Sequence, residues 1–175
     1  MSKVVLIGSS SAIAQSLQKN SNREFVCFTR SNGFDISGDL SELDGLEDIN
    51  GLVYFPGTIN LKPFTMLKEQ DYQNDLDINF LGAVKVVKKL IGKLKEADGA
   101  SVVFISTVAA SIGLPFHASI SPAKAALEAY ARSMAAEYAG AKISFNVVAP
   151  SLANTPMAEN LLKTERLVEA SKERN

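Results

Sequence analysis

The chain has one cysteine, Cys27, one histidine, His117, and no tryptophan in 175 residues. A single cysteine excludes an internal disulfide and any metal site built on several thiolates. With only one histidine beside it, a structural zinc site lacks ligands. Charge bias is missing as well, since 18 basic residues face 19 acidic ones, for a net charge of −1. With no basic stripe and no acidic tail, neither nucleic acid nor an anionic membrane is expected as a partner. No segment is apolar for long enough to cross a bilayer, and the opening MSKVVLIGSS carries too short an apolar run for a signal peptide. These absences lead to the expectation of a soluble, cytoplasmic protein without metal.

What is present is a hydrophobic fraction of 46% and a charged fraction of 21%, as in an ordinary globular domain. No linker, repeat or low-complexity run divides the chain, so residues 1–175 read as one domain. Lys3 to Ile7 is a β-branched run ending at Gly8, as a buried parallel strand should. Serines follow, then Ala12 to Lys19 with Ile13 and Leu17 at helical spacing. A strand, a small-residue turn and a helix in that order set backbone N–H groups and a positive helix end against a phosphate. Glu24 to Thr29 reads as a second strand, Phe34 to Ile36 as a third, very short one, and Leu40 to Asp48 as a short helix. Gly51 to Phe55 is a strand closed by Pro56-Gly57. Glu69 to Leu94 is helical, with Leu76, Phe80, Val84, Val87, Leu90 and Leu94 on one face. Ser101 to Ile105 is a strand, Ala123 to Ala139 a small-residue helix, and Ile143 to Val148 a last strand before Pro150. This alternation predicts an α/β fold, a doubly wound parallel sheet of about six strands in three α/β/α layers.

Three stretches, IGSSSAIA at the first turn, STVAASIGLPFHASISPAKAALEAY around Lys124, and VAPSLANTPM near the end, together resemble the short-chain dehydrogenase/reductase family along essentially the whole chain. The resemblance implies a Rossmann-like domain that binds NAD or NADP and interconverts alcohols and carbonyls. At the phosphate turn Gly8 keeps the family's first glycine, while Ala12 and Ala14 stand at the other two. Alanine is tolerated at the last, which serves close helix–strand packing, whereas the methyl of Ala12 crowds the pyrophosphate approach. Ser9, Ser10 and Ser11 offer compensating hydroxyls, and Ile13 belongs to the same turn. The alternative is a serine-rich turn that only caps a helix. After the second strand stands Thr29-Arg30-Ser31 rather than the acidic residue that would hold the ribose hydroxyls of NAD. A guanidinium suits a 2′-phosphate, so NADP(H) is favoured over NAD(H), although exposed arginines are common on any surface. Asp35-Ile36 matches the adenine-holding position, or is simply a turn aspartate and its neighbour. The stretch between strands 2 and 4 is short, without the helix the family has there. Pro56 and Gly57 stand in the turn where the family has Asn-Asn-Ala-Gly.

The resemblance assigns Asn79, Thr107 and Lys124 to catalysis. Asn79 matches the helix asparagine whose carbonyl helps hold a water in a proton relay, or is a locally bonded polar residue. Thr107 stands at the serine position and can donate to a substrate carbonyl. Lys124 matches the lysine that grips the nicotinamide ribose, so it serves cofactor binding as well. The position of the proton-donating tyrosine is Ile120, which can neither give nor take a proton. His117 lies just before it in the loop, as a substitute acid or as a merely satisfied surface residue. Ser119 and Ser121 flank it.

Toward the end Pro150, Leu152 and Thr155 match cofactor contacts, with Ser151 in place of a glycine. Ala158 to Ala170 is expected as the substrate lid. Relative to the family the chain is expected to lack the last helix and strand, which points to a truncated chain. Two functions stay open at this point: an NADP-preferring oxidoreductase on a small hydroxyl or carbonyl substrate with altered proton chemistry, and a catalytically silent nucleotide-binding subunit. The segments 71–95 and 123–139 match helices that pair across the family's dimer interface, so a homo-oligomer is expected. Ala123, Ala126, Ala131 and Ala135 would allow close contact there, or serve packing within the domain.

Overall fold

The computed structural model describes residues 2–153, 155, 156 and 158. Five parallel strands form one sheet in the order β2-β1-β3-β4-β5, where β1 is Lys3–Ile7, β2 Phe25–Phe28, β3 Ile49–Tyr54, β4 Ala100–Ile105 and β5 Ile143–Val148. The count is five and not six because Phe34–Ile36 pairs with no strand. Phe34 and Ile36 turn their side chains into the core from a loop instead. The helix expected over Leu40–Asp48 reduces to one 3₁₀ turn, Ser41–Leu43, that buries Leu43.

The helices are α1 (Ala12–Lys19), α2 (Glu69–Leu76), α3 (Gly82–Glu96) and α4 (Ile120–Tyr138). Burial alternates along β4 and β5, as period-2 geometry requires: Val102, Phe104, Ile143 and Phe145 are buried while their neighbours are less so. The buried set meets Val86, Leu90 and Leu94 of α3 and Leu127 and Ala131 of α4 in one core. On the opposite face lies α1, whose Gln18 side chain accepts from the Cys27 thiol of β2. Among the described residues α1 is the only helix of two turns or more on that face, and β5 is an edge. The expected lid helix lies outside the described residues except for Ala158.

Two boundaries moved for physical reasons. The helix read as continuous from Glu69 is broken by a π-helical turn, Asp77–Leu81, which a pattern counted at 3.6 residues per turn does not see. The Tyr54 hydroxyl, at the end of β3, donates to the Ile78 carbonyl within that turn at 2.7 Å. The last helix begins at Ile120 rather than Ala123, with Pro122 in its first turn, where the missing N–H costs nothing.

Gly82, the first residue of α3, lies directly against the Tyr54 hydroxyl, and a methyl there would also stand 3.1 Å from Ile36 Cδ1. Gly92, in the same helix, faces open space. Gly82→Ala is therefore expected to destabilise the chain by about 1–3 kcal/mol, while Gly92→Ala stabilises it by up to about 1 kcal/mol through helix propensity. Urea unfolding of the two variants checks the contrast.

Candidate functional site

The carboxyl ends of the strands open onto one cavity of about 650 Å³. Ligands of open α/β sheets bind at this edge. Gly8, Ser10, Ser11 and Ile13 line it from the β1–α1 turn, Arg30 and Ile36 from beyond β2, Pro56 and Gly57 from beyond β3, Thr107, Ile120 and Lys124 from the central stretch, and Pro150, Leu152 and Thr155 from the end. Asn79, Ser31 and Asp35 do not line it. Asp35 instead holds a turn, its carboxylate accepting the Ser37 N–H at 2.9 Å, and this bond keeps its carboxyl below the ordinary carboxylate range. Ser31 is exposed.

The phosphate turn takes its shape from Gly8, whose φ of +76° is open to glycine and strained for other residues. Its N–H and that of Ser9 both donate to the Phe28 carbonyl, tying the turn to β2. Ser11 caps α1 by accepting the Ala14 N–H at 3.1 Å. Ala14 is wholly buried, in the close-packing place the resemblance gave it. Ser10 accepts from the Thr29 hydroxyl at 2.9 Å, which joins the first turn to the residue before Arg30. Among the described residues no carboxylate lines the cavity, while Arg30 and Lys124 do. The lining therefore favours an anion.

Deeper in, Lys124 is 6% exposed and donates to the Ile105 carbonyl at the end of β4, at 2.7 Å. Burial pushes its ammonium down to about 8, and the nearby Asp75 charge works against that fall. Gly57 makes room for it: a methyl there would stand 3.2 Å from Asn79 Oδ1 and 3.3 Å from Lys124 Nζ. Asn79 is fully buried, with its Nδ2 donating to the Asp75 carbonyl and to the Thr58 hydroxyl, both at 2.8 Å. Its Oδ1 accepts the Thr58 N–H at 3.3 Å. Thr107 Oγ1 accepts the Ala109 N–H at 3.3 Å, which leaves the hydroxyl proton for a ligand.

Ile120 lines the cavity and is 5% exposed, so no proton can come from that wall. Of its neighbours, Ser121 Oγ donates to the Ala109 carbonyl, and Ser119 Oγ is buried without a hydrogen-bond partner among the described residues and outside the lining. His117 does reach the cavity, with its Nδ1 2.7 Å from the Pro115 carbonyl. That carbonyl can only accept, so Nδ1 carries the proton of this bond.

A family model described as enoyl-(acyl carrier protein) reductase matches residues 41–175. The chain belongs to the short-chain dehydrogenase/reductase family. Within it, the chain is 34% identical over 122 residues to a 3-oxoacyl-[acyl-carrier-protein] reductase of Synechocystis, an overlap of 68% of this chain and 48% of that protein. It is 26% identical over 163 residues to a 3-ketodihydrosphingosine reductase of Dictyostelium discoideum, covering 91% of this chain and 42% of the relative. The chain thus spans about half the length of the curated relatives it matches. Among solved structures, a family oxidoreductase from Burkholderia thailandensis superposes with a TM-score of 0.82 at 22% identity, over 95% of this chain and 74% of that one. A small-chain dehydrogenase in complex with NADPH gives 0.82 at 22%, over 99% and 80%. At that identity the likeness shows the fold.

Sequence reasoning overlooked two polar residues of this short-chain dehydrogenase/reductase site, Thr58 and Asp75. Asp75 stands four residues before Asn79, the spacing that puts two side chains on one helix face, and that was the available signal. It is 1% exposed.

Because the unfolded chain keeps the lysine proton up to ~10.4 and the buried one gives it up at about 8, the unfolded state binds more protons between these values. Stability then rises with pH through that window, and below it the full cost of charging the buried amine is present. Lys124→Met removes this dependence. The stability advantage of Lys124→Met over the unaltered chain should shrink by on the order of 2 kcal/mol between pH 8 and pH 10, read from urea midpoints at both pH values.

Proposed function

We propose that this chain is an oxidoreductase of its family that holds NADP(H) in the strand-end cavity and acts on a small hydroxyl or carbonyl substrate. The observation that carries this reading is the placement of Lys124 and Thr107 in one cavity with the Gly8 turn and Arg30. The cofactor would supply or accept hydride, and the residues present fit it. The first turn of α1, set in place by the Gly8 turn, would present its N–H groups to a pyrophosphate. Arg30 takes the 2′-phosphate, in a lining without a carboxylate to hold ribose hydroxyls or repel that charge. Lys124 holds the nicotinamide ribose, and Thr107 donates to the substrate oxygen. Solved relatives in complex with NADP and NADPH support the cofactor class.

A second reading, a silent nucleotide-binding subunit, is favoured by one observation: Ile120 occupies the wall where the family places its acid. A homo-oligomer through 71–95 and 123–139 belongs to either reading. Within the domain Ala123 and Ala131 are buried and Ala135 packs against the core, which leaves the half-buried Ala126 for a partner. Sedimentation of the full chain reads the oligomeric state.

Fluorescence titration is expected to show NADPH binding roughly tenfold tighter than NADH, as one charge-assisted contact supports, and Arg30→Ala to abolish the difference. Ile120→Tyr separates the two functions. With NADPH and a carbonyl probe such as cyclohexanone it should raise kcat by about 10²–10⁴-fold, whereas the silent reading expects cofactor binding and no gain.

A further inference from the structure

Among the described residues one carboxylate, Asp75, is buried, and it has no place in the chemistry given so far. Asp75 Oδ1 accepts a hydrogen bond from the Thr58 hydroxyl. Its Oδ2 is buried with no hydrogen-bond partner among the described residues. A carboxylate kept only for structure would have both oxygens satisfied, because a buried unpaired acceptor is costly. Thr58, by contrast, lines the cavity beside Gly57 and Lys124. Its hydroxyl gives its proton to Asp75 and accepts the Asn79 Nδ2–H, which leaves one lone pair for the cavity.

Resting on the hydride-transfer reading of this site, we propose that Asp75, acting through the Thr58 hydroxyl, is the proton acceptor that serves it in the absence of a phenol at position 120. In alcohol oxidation the substrate O–H bond breaks and its proton passes to Thr58 Oγ1. The proton already on Thr58 passes to Asp75 Oδ1, and the substrate carbon gives up its hydride to the oxidised nicotinamide. The alcohol becomes a carbonyl, the nicotinamide is reduced, and the protonated Asp75 holds the remaining charge balance. Carbonyl reduction reverses each transfer. Lys124 is the rival explanation for Asp75, since the carboxylate offsets the buried ammonium.

The test uses the full chain with NADP⁺ and cyclohexanol as probes. Asp75→Asn and Thr58→Val should each lower kcat by about 10²-fold or more, with NADPH affinity by fluorescence held within about twofold, and Thr58→Ser should keep most of the rate. Added formate should restore part of the turnover of Asp75→Gly and leave the unaltered chain unchanged. Independently of turnover, proton NMR of the cofactor-free chain should show a downfield, slowly exchanging hydroxyl signal that either Asp75→Asn or Thr58→Val removes. Thr58→Val carries the test by itself if Asp75→Asn does not fold. A full rate in Thr58→Val beside a loss in Asp75→Asn would mean a counter-charge only and overturns the relay. Turnover that both substitutions leave intact overturns the relay alone, whereas no binding of NADP(H) by the unaltered chain overturns the cofactor reading along with it.

Discussion

A lysine ammonium sunk below the surface of a largely apolar cavity is the constraint the rest of the structure answers to. Deprived of water, Lys124 needs protein atoms around it, and three separate parts of the chain supply them. The last carbonyl of β4 accepts its proton, the carboxylate of Asp75 on α2 opposes its desolvation, and Gly57 after β3 gives up a side chain so that the amine and Asn79 can both approach. None of these groups is near Lys124 in sequence. The sheet brings them together, because parallel strands end at the same edge and the loops leaving them lie along one rim.

The strands and the helices were largely legible. The bounds of β1, α1 and β5 coincide with the apolar runs and caps read from the residues alone, because buried β-branched segments between glycine, serine and proline have few other options. What escaped was whatever depends on tertiary contact. Phe34 and Ile36 are apolar for the core's sake and not for a strand's. The π-helical turn is an inserted residue in a helix, invisible to periodicity, and it is bound from outside by the Tyr54 hydroxyl. In the site, Gly8, Thr107 and Lys124 could be found because they sit in motifs. Thr58 belongs to no motif, and the one signal for Asp75, its spacing from Asn79, is weak because an aspartate on a helix with many polar residues looks like an ordinary surface group until it is found buried.

Ile120 also reads differently in three dimensions. It is a packed wall residue at the start of a helix, with Ser121 bound to the Ala109 carbonyl beside it. The Ile120 side chain therefore keeps that wall of the cavity filled and apolar. The lysine, the threonine hydroxyl and the phosphate turn keep a common cavity.

The strand order also has a consequence for how the chain is made. After β2 pairs beside β1, β3 takes the other edge of β1, and each later strand joins the edge left by the one before it: β4 beside β3 and β5 beside β4. A chain leaving the ribosome can thus extend its sheet one strand at a time in one direction, with no insertion between strands already paired. The β1–α1 turn is synthesised long before α4, and the carbonyl, the glycine and the carboxylate that meet Lys124 all precede it in the chain. The most costly group to bury is the last of that set to be made.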